Sequence, residues 1–235
     1  NLSKHKPLKT DLFDFHTMDK DWDIMTDADY HNFSVNWIKE CYRVLRPGGS
    51  IMVCGTAPHN IFTCKRVLDQ IGFHFINMIV WAKTSVPPNI TCRMLTQSTE
   101  FILWYSKGPK WTYNYQAAKA YNDGKQLKDV WVMDPVRRKE SLAYRSQKPE
   151  ALVKRCLDIA TREEDLVLDI FSGTGTTSHC CIQTGRSSIA VEQNTEALML
   201  SIPRLQKSKL PILLRYPSNP AGIVILPDDK VEVES

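Results

Sequence analysis

A short apolar run and two glycines near residue 170 form a pattern that could hold a nucleoside. Residues 166–171 read Leu-Val-Leu-Asp-Ile-Phe, which is typical of a buried parallel strand, and Gly173 and Gly175 then predict a tight turn. A helix predicted at 176–184 would present unpaired N–H groups and a partial positive charge to the ligand. Glu192 ends the next predicted strand, where a carboxylate can accept hydrogen bonds from both ribose hydroxyls.

The spacing of these residues favours a nucleoside cofactor without a pyrophosphate. A Gly-x-Gly turn alone also occurs after many parallel strands that bind nothing. Here Asp169, the paired glycines and Glu192 agree with one another. The dinucleotide fingerprint G-x-G-x-x-G is absent because position 178 is Ser178, which disfavours a nicotinamide cofactor.

A second candidate feature is the basic and aromatic segment, defined here as residues 107–148. It has ten Lys and Arg residues against four acidic residues, a net charge of +6, and six Trp and Tyr residues are interleaved with them. Cations can meet phosphates and aromatic rings can stack on bases, so the composition suits a nucleic-acid surface. A solvated loop whose rings pack on the core is the alternative, and composition leaves both open.

The overall composition restricts the class of protein. The chain has 235 residues, a net charge of +4 and seven cysteines without a C-x-x-C pair. We expect reduced, mostly packing cysteines, no metal site, no membrane span and a cytoplasmic location.

Periodicity and glycine or proline punctuation predict the elements that position these features. Residues 1–30 read as a polar loop that ends at a helix start near Thr26 and Asp27, and residues 206–235 read as an extended arm. Helices are predicted at 31–45, 58–71, 149–160, 176–184 and 194–205, and strands at 50–55, 73–81, 98–105, 166–170 and 187–193.

Six short motifs occur in a fixed order and together carry a family resemblance. They are Arg-Pro-Gly-Gly-Ser at 46–50, Val-Trp-Ala-Lys at 80–83, Glu-Phe-Ile-Leu-Trp-Tyr-Ser-Lys at 100–107, Asp-Val-Trp at 129–131, Gln-Lys-Pro at 147–149 and Asp-Ile-Phe-Ser-Gly-Thr-Gly-Thr-Thr at 169–177. The chain resembles the β-class amino-methyltransferases of DNA, the N6-adenine and N4-cytosine modification enzymes, from about residue 1 to residue 205.

The resemblance implies an α/β fold, a Rossmann-like methyltransferase sheet with permuted motif order and a short target-recognition insertion. On that basis residues 1–106 would form the catalytic half, 107–145 the target-recognition segment, 146–205 the cofactor-binding half and 206–235 a C-terminal arm. The implied cofactor is S-adenosylmethionine, and no metal is implied.

The family's cofactor motifs transfer to named positions. Gln147 and Lys148 would border the cofactor, although Arg145 and Ser146 replace the Pro and Thr that usually precede them. Ile170 likewise replaces a usual Pro. The full set implied to bind the cofactor is Asp169, Phe171, Gly173, Gly175, Thr176, Thr177, Glu192, Gln147 and Lys148.

The implied reaction is methyl transfer to the N6 amine of adenine in double-stranded DNA. The loop at 84–96 and the basic and aromatic segment would dock the duplex. N4-cytosine methylation, an inactive DNA-binding partner subunit, and a small-molecule or RNA methyltransferase are the alternatives, and a homodimer is left open. The residues expected to contact DNA are Arg93, Lys110, Arg137, Arg138 and Lys139.

The family's catalytic tetrapeptide, Asp/Asn/Ser-Pro-Pro-Tyr, has no match. Residues 27–30 read Asp-Ala-Asp-Tyr but no apolar strand precedes them, and residues 134–137 read Asp-Pro-Val-Arg without an aromatic residue. We therefore reject both and assign no catalytic residue. We expect that the chain starts just after the tetrapeptide, that two strands are missing, and that the strand at 166–170 has an unpaired edge.

Overall fold

The computed structural model describes residues 25–137, 139–142, 144, 146–208, 212–216 and 219–225. Helices and strands alternate along most of this length, which confirms the α/β class. The helices are α1 (Asp27–Val44), α2 (His59–Ile71), α3 (Tyr115–Ala120), α4 (Glu150–Ala160), α5 (Thr176–Gln183) and α6 (Thr195–Gln206). The strands are β1 (Ser50–Gly55), β2 (His74–Lys83), β3 (Thr99–Ser106), β4 (Val130–Met133), β5 (Leu166–Asp169), β6 (Ser187–Ala190), β7 (Ile212–Tyr216) and β8 (Asn219–Ile225).

A four-stranded sheet carries the first half of the chain, in the order β1-β3-β2-β4. β3 runs antiparallel to both neighbours, and β4 is parallel to β2. Ser50 and His74 both lie opposite Ser106, so the starts of β1 and β2 share one end of the sheet. The carboxyl ends of β1, β2 and β4 therefore share the other end.

Alternating side chains of β3 support a hydrophobic core on each face of this sheet. Ile102 and Trp104 pack with Trp131 and with α4, while Leu103 and Tyr105 pack with α1 and α2. A strand buried on both faces reads as a continuous apolar run, which is why periodicity alone located β3 but did not indicate its two faces.

The cofactor half contains a separate parallel pair, β5 and β6. Arg46, just before β1, forms an ion pair of 2.8 Å with Asp165, just before β5. The starts of β1 and β5 thus lie near each other. Within the described residues, β5 pairs with β6 alone, in agreement with the expected unpaired edge. Leu166 is 64% exposed.

The structure corrects two parts of the predicted architecture. The basic and aromatic segment contains α3 and β4, which composition did not reveal, and β4 joins the main sheet. The extended arm predicted at 206–235 contains an antiparallel hairpin of β7 and β8. The start of α1 was predicted correctly, since Thr26 is its N-cap and accepts a hydrogen bond from the Asp29 N–H. Most of the polar loop predicted at 1–30 lies outside the described residues.

Candidate active site

The turn between β5 and α5 has the backbone shape that the sequence predicted. Gly173 and Gly175 have φ values of +51° and +71°, in the left-handed region that favours glycine. Gly175 is also the N-cap of α5 and makes no side-chain cap, so the first-turn N–H groups of Thr176 and Thr177 face the turn. These groups and the helix dipole favour a carboxylate or another anionic group there.

Two carboxylates organise the same turn. Glu192 accepts the Gly173 N–H at one oxygen and the Asn194 N–H at the other, both at 2.7 Å. Asp169 accepts the Thr177 hydroxyl at 2.5 Å and the Phe171 N–H at 3.1 Å. Each carboxylate oxygen has two lone pairs, so Glu192 keeps acceptor capacity for ribose hydroxyls while it holds the turn.

An aromatic cluster from α1 lies beside the turn, and sequence reasoning missed it. The Phe171 ring lies 6.0 Å from the Phe33 ring and 5.6 Å from the Trp37 ring, the latter edge-on. Phe171 is 58% exposed, so its face is available to a planar ligand. Phe33 and Trp37 lie within the helix predicted at 31–45, and no local signal distinguishes them from core residues.

A buried arginine from α6 was also missed. Arg204 donates to the Thr174 carbonyl at 3.3 Å and to the Thr176 hydroxyl oxygen at 3.0 Å. It also pairs with Glu150 at 2.5 Å. Arg204 is 7% exposed. Its contacts connect α6, which carries it, to the glycine turn and to Glu150 at the start of α4. Its position about thirty residues downstream gave no local signal.

Gln147 and Lys148 lie at the start of α4 and border a cavity of about 400 Å³. The Gln147 amide donates to the Glu140 carbonyl and accepts from the Leu142 N–H, both at 2.9 Å, so it fixes the loop before α4. The Lys148 ammonium lies 3.5 Å from the Glu100 carboxylate. The cavity is lined by Trp81, Lys83, Glu100, Pro135, Val136, Ser141, Tyr144, Gln147 and Lys148.

Glu100 is the electrostatic centre of this cavity. Its carboxylate, 9% exposed, pairs with Lys83 at 2.6 Å and also faces Lys148. Burial alone would raise the pKa of Glu100, but the ammonium groups of Lys148 and Lys83 hold that pKa below its ordinary value. The sequence placed Glu100 in a family motif but did not indicate that two lysines converge on it.

Tyr144 connects the cavity to the glycine turn. It lines the cavity, and its Cε1 atom lies 3.7 Å from the point that a Cβ on Gly173 would occupy. The charged cavity and the glycine turn are therefore neighbours at the carboxyl end of the strands. We call this end of the molecule the cofactor end.

The structure separates the five predicted DNA contacts. Arg93 lies in the loop between β2 and β3, and Arg137 and Lys139 follow β4, so these three belong to the cofactor end. Lys110 follows β3 next to Gly48, at the opposite end of the sheet. Arg138 lies outside the described residues.

The two rejected catalytic candidates are occupied by structural roles. Asp27 and Tyr30 belong to the first turn of α1. Asp134 does follow β4, but its carboxylate is engaged by Arg137 and by the Thr84 hydroxyl.

The turn fits a nucleoside cofactor by its own chemistry. Thr174 is 2% exposed, and its hydroxyl oxygen is a buried polar atom without a hydrogen-bond partner in the described part of the chain. Such a group is costly unless a ligand or water satisfies it. A Cβ on Gly175 would lie 3.1 Å from the Ser201 Cβ, so helix α6 requires the glycine.

The comparison with protein families decides the assignment. The DNA methylase model for N6 and N4 enzymes matches residues 6–202. This chain belongs to that DNA methylase family. S-adenosylmethionine is thus the cofactor of this DNA methylase.

Several relatives support the same assignment. The chain is 40% identical over 193 residues to the Type II methyltransferase M2.LlaDCHI of Lactococcus lactis subsp. cremoris, covering 80% of this chain and 71% of the relative. It is also 40% identical over 192 residues to the Type II methyltransferase M2.DpnII of Streptococcus pneumoniae, covering 79% and 71%. The chain is therefore similar to Type II methyltransferases.

Solved structures agree with the fold. The complex of M1.HpyAVI with SAM gives a TM-score of 0.65 at 28% identity and covers 74% of this chain and 83% of that chain. The cytosine-N4-specific PvuII DNA methyltransferase gives a TM-score of 0.68 over 79% of this chain and 74% of that chain, at 19% identity, and indicates the fold alone.

The described residues were also predicted to contain neither a metal site nor a membrane span. Among the residues that the structure describes, no group of three or more His, Cys, Asp or Glu side chains is arranged to hold a metal ion. No described helix is both long and apolar enough to cross a lipid bilayer. Cys64, Cys180 and Cys181 are buried, whereas Cys54 and Cys92 are exposed.

Proposed function

We propose that this DNA methylase transfers a methyl group to the N6 amine of adenine in duplex DNA. The observation that carries the proposal is the shared Tyr144, which borders both the glycine turn and the charged cavity. A base extruded from the duplex could then meet the methyl donor without leaving the site. The cavity, about 400 Å³ in volume, has the size of a small-ligand pocket.

The chain's own residues would bind and orient the reactants. When bound, S-adenosylmethionine supplies an activated methyl group. The acceptors on Glu192 would take hydrogen bonds from the ribose, and the uncapped first turn of α5 would receive the methionine carboxylate. Asp169, Phe171, Gly173, Gly175, Thr176 and Thr177 would surround the methionine part, and Gln147 and Lys148 would border it. Positioning of this kind contributes much of the rate in group transfer.

The duplex would lie on the cofactor end, with Arg93, Arg137 and Lys139 near its phosphates. All three side chains follow the carboxyl ends of β2 and β4, next to the charged cavity. Arg138 would join them from its place in the sequence. Lys110 would contact the duplex only if the DNA also extended along the sheet to its opposite end. A homodimer on a two-fold DNA site is part of the proposal.

Binding and product analysis test this function. Isothermal titration should show S-adenosylmethionine binding to the protein, and fluorescence anisotropy should show tighter binding to duplex DNA than to RNA of the same length. Methyl transfer is then assayed on duplex DNA, and the methylated nucleoside is identified by mass spectrometry. N6-methyl-2′-deoxyadenosine supports the proposal, whereas N4-methyl-2′-deoxycytidine contradicts the choice of base. Absence of cofactor binding contradicts the whole assignment.

A further inference from the structure

The loop between β2 and β3 carries three strongly exposed apolar side chains. Ile90 is 74% exposed, Met94 is 71% exposed and Leu95 is 94% exposed. These are the three most exposed large hydrophobic side chains among the residues whose side chains are described. Single exposed apolar residues are common, but a cluster of three within six residues indicates a contact surface.

The tip that carries these side chains is organised by its own hydrogen bonds. The Asn89 side chain accepts from the Thr91 N–H at 2.9 Å and from the Thr91 hydroxyl at 2.7 Å. The Asn89 N–H reaches the Thr96 hydroxyl oxygen at 3.4 Å and closes the tip between residues 90 and 95. Cys92 has a φ of 50°, a left-handed conformation that is unfavourable for a side-chain-bearing residue. The tip is therefore a shaped projection.

The base of the loop lies at the edge of the charged cavity. The Lys83 N–H donates to the Ser98 carbonyl at 2.8 Å, and this bond joins the two ends of the loop. Lys83 itself lines the cavity, as does Glu100 one residue beyond the start of β3. Gln97 donates to the Ala57 carbonyl at 3.4 Å and ties the loop to the end of β1. The apolar tip thus projects beside the place where the proposed function puts the target base.

The charge of the loop favours a polyanion over an apolar protein surface. Residues 84–98 contain one cation, Arg93, and no acidic residue. Arg93 lies between Cys92 and Met94, within the tip itself, so a phosphate contact and an apolar contact would be made together. Architectural DNA-binding proteins combine cations on phosphates with Leu, Ile or Met wedges between base steps.

We propose that Leu95, with Met94 and Ile90, inserts into the base stack of duplex DNA while Arg93 holds the adjacent phosphate. The inference rests on the proposed function, because extrusion of a base leaves a gap that an apolar side chain can fill. Filling the gap removes the tip's apolar surface from water and offsets part of the unstacking energy. Ile90, Met94 and Leu95 are thus assigned a role in holding the duplex open.

Duplexes with and without a preformed gap test the wedge without knowledge of the recognition sequence. Two probes of about 25 base pairs have the same sequence except that one carries a central abasic site. Their binding is compared by fluorescence anisotropy in the presence of S-adenosylmethionine. Wild type should bind the abasic probe roughly tenfold more tightly, since the unstacking energy is already spent. Leu95→Ala should remove most of that preference.

Two further variants distinguish insertion of Leu95 from a loss of charge and from the general effect of shortening an exposed apolar side chain. Arg93→Ala should weaken binding to both probes by a similar factor and lower the salt dependence by about one phosphate contact. Val44→Ala shortens an apolar side chain that is 51% exposed at the end of α1. This variant should change neither the binding of the two probes nor its salt dependence. The melting temperature of Leu95→Ala should equal that of wild type, because the side chain has almost no contacts in the free protein.

The outcomes distinguish the wedge from the proposed function. Equal binding of the two probes by wild type overturns the wedge while duplex binding itself stands. A lowered melting temperature of Leu95→Ala, or a change in its oligomeric state with unchanged DNA binding, also overturns it, because the tip would then pack on this chain or on a second copy. Failure to bind either probe would contradict the proposed function itself.

Discussion

Lys83, Glu100 and Lys148 line a charged cavity at one end of the four-stranded sheet, whereas an aromatic groove of about 450 Å³ lies at the other end. In the groove, the Trp111 ring lies 5.3 Å from the His74 ring, and the Tyr113 ring lies 5.8 Å from the Trp104 ring. The basic and aromatic segment contributes residues to both ends. Basic and aromatic residues are mixed along the whole segment, so its composition does not distinguish the two surfaces.

The strand β4 explains the division. Residues before Val130 reach the sheet at the start of β4, opposite Val80 of β2, and residues after Met133 leave it at the carboxyl ends of both strands. Trp131 is 2% exposed within the core and donates to the Lys128 carbonyl at 2.8 Å. The two interpretations left open for the segment each describe one part of it. Rings such as Trp131 pack on the core, while the cations after β4 face the cofactor end.

The largest expected effect concerns the arginine that clamps the cofactor end. Arg204→Met should lower the free energy of unfolding by about 3 kcal/mol, because Glu150 loses its buried partner and the turn loses two hydrogen bonds. Urea denaturation measures the change. The matched control is Arg43→Met, whose ion pair with Glu40 lies on the exposed surface near the opposite end. Equal losses of unfolding free energy in the two variants would contradict the expected difference between the two ends of the sheet.

The next effect concerns cofactor affinity. Glu192→Ala should weaken S-adenosylmethionine binding by roughly a hundredfold, because the ribose acceptor and the bond that holds Gly173 are both lost. Isothermal titration measures the affinity. Glu196→Ala, which removes a carboxylate from the first turn of α6, should bind normally. Trp111→Ala in the aromatic groove should also bind S-adenosylmethionine normally. Weaker binding by this variant would indicate that the two ends of the sheet are coupled.

A pair of cations tests where the duplex lies. Arg137→Ala should weaken duplex binding severalfold and reduce the salt slope by about one, as expected for one lost phosphate contact. Lys110→Ala should have no such effect if the duplex is confined to the cofactor end. Anisotropy titrations at several salt concentrations give both slopes. An equal effect of Lys110→Ala would extend the DNA surface along the sheet to the aromatic groove.

The smallest effect is a dependence of stability on pH. The pKa of Glu100 is lowered in the folded state from a reference value of 4.5, so its stabilising effect is fully present above that value and is lost as the pH falls through the folded pKa. Glu100→Gln should therefore be less stable than wild type at about pH 7, and the difference should shrink below about pH 4. Glu163→Gln, at an exposed position, should show no such convergence.

Much of the molecule was readable because its signals are local. The six motifs identified the family, and the glycine turn, Glu192 and the helix start at Thr26 were located correctly. These features depend on backbone conformations that few residues adopt or on caps within three residues. The sequence by itself determined the family and the cofactor class.

Only the tertiary structure decided which distant residues share a site. Arg204 reaches the glycine turn from about thirty residues away, Phe33 reaches Phe171 from α1, and two lysines converge on Glu100. The division of the basic and aromatic segment depends on β4 pairing with β2, which is a non-local contact. Such contacts are determined by packing of whole elements, so neither composition nor periodicity within a single element records them.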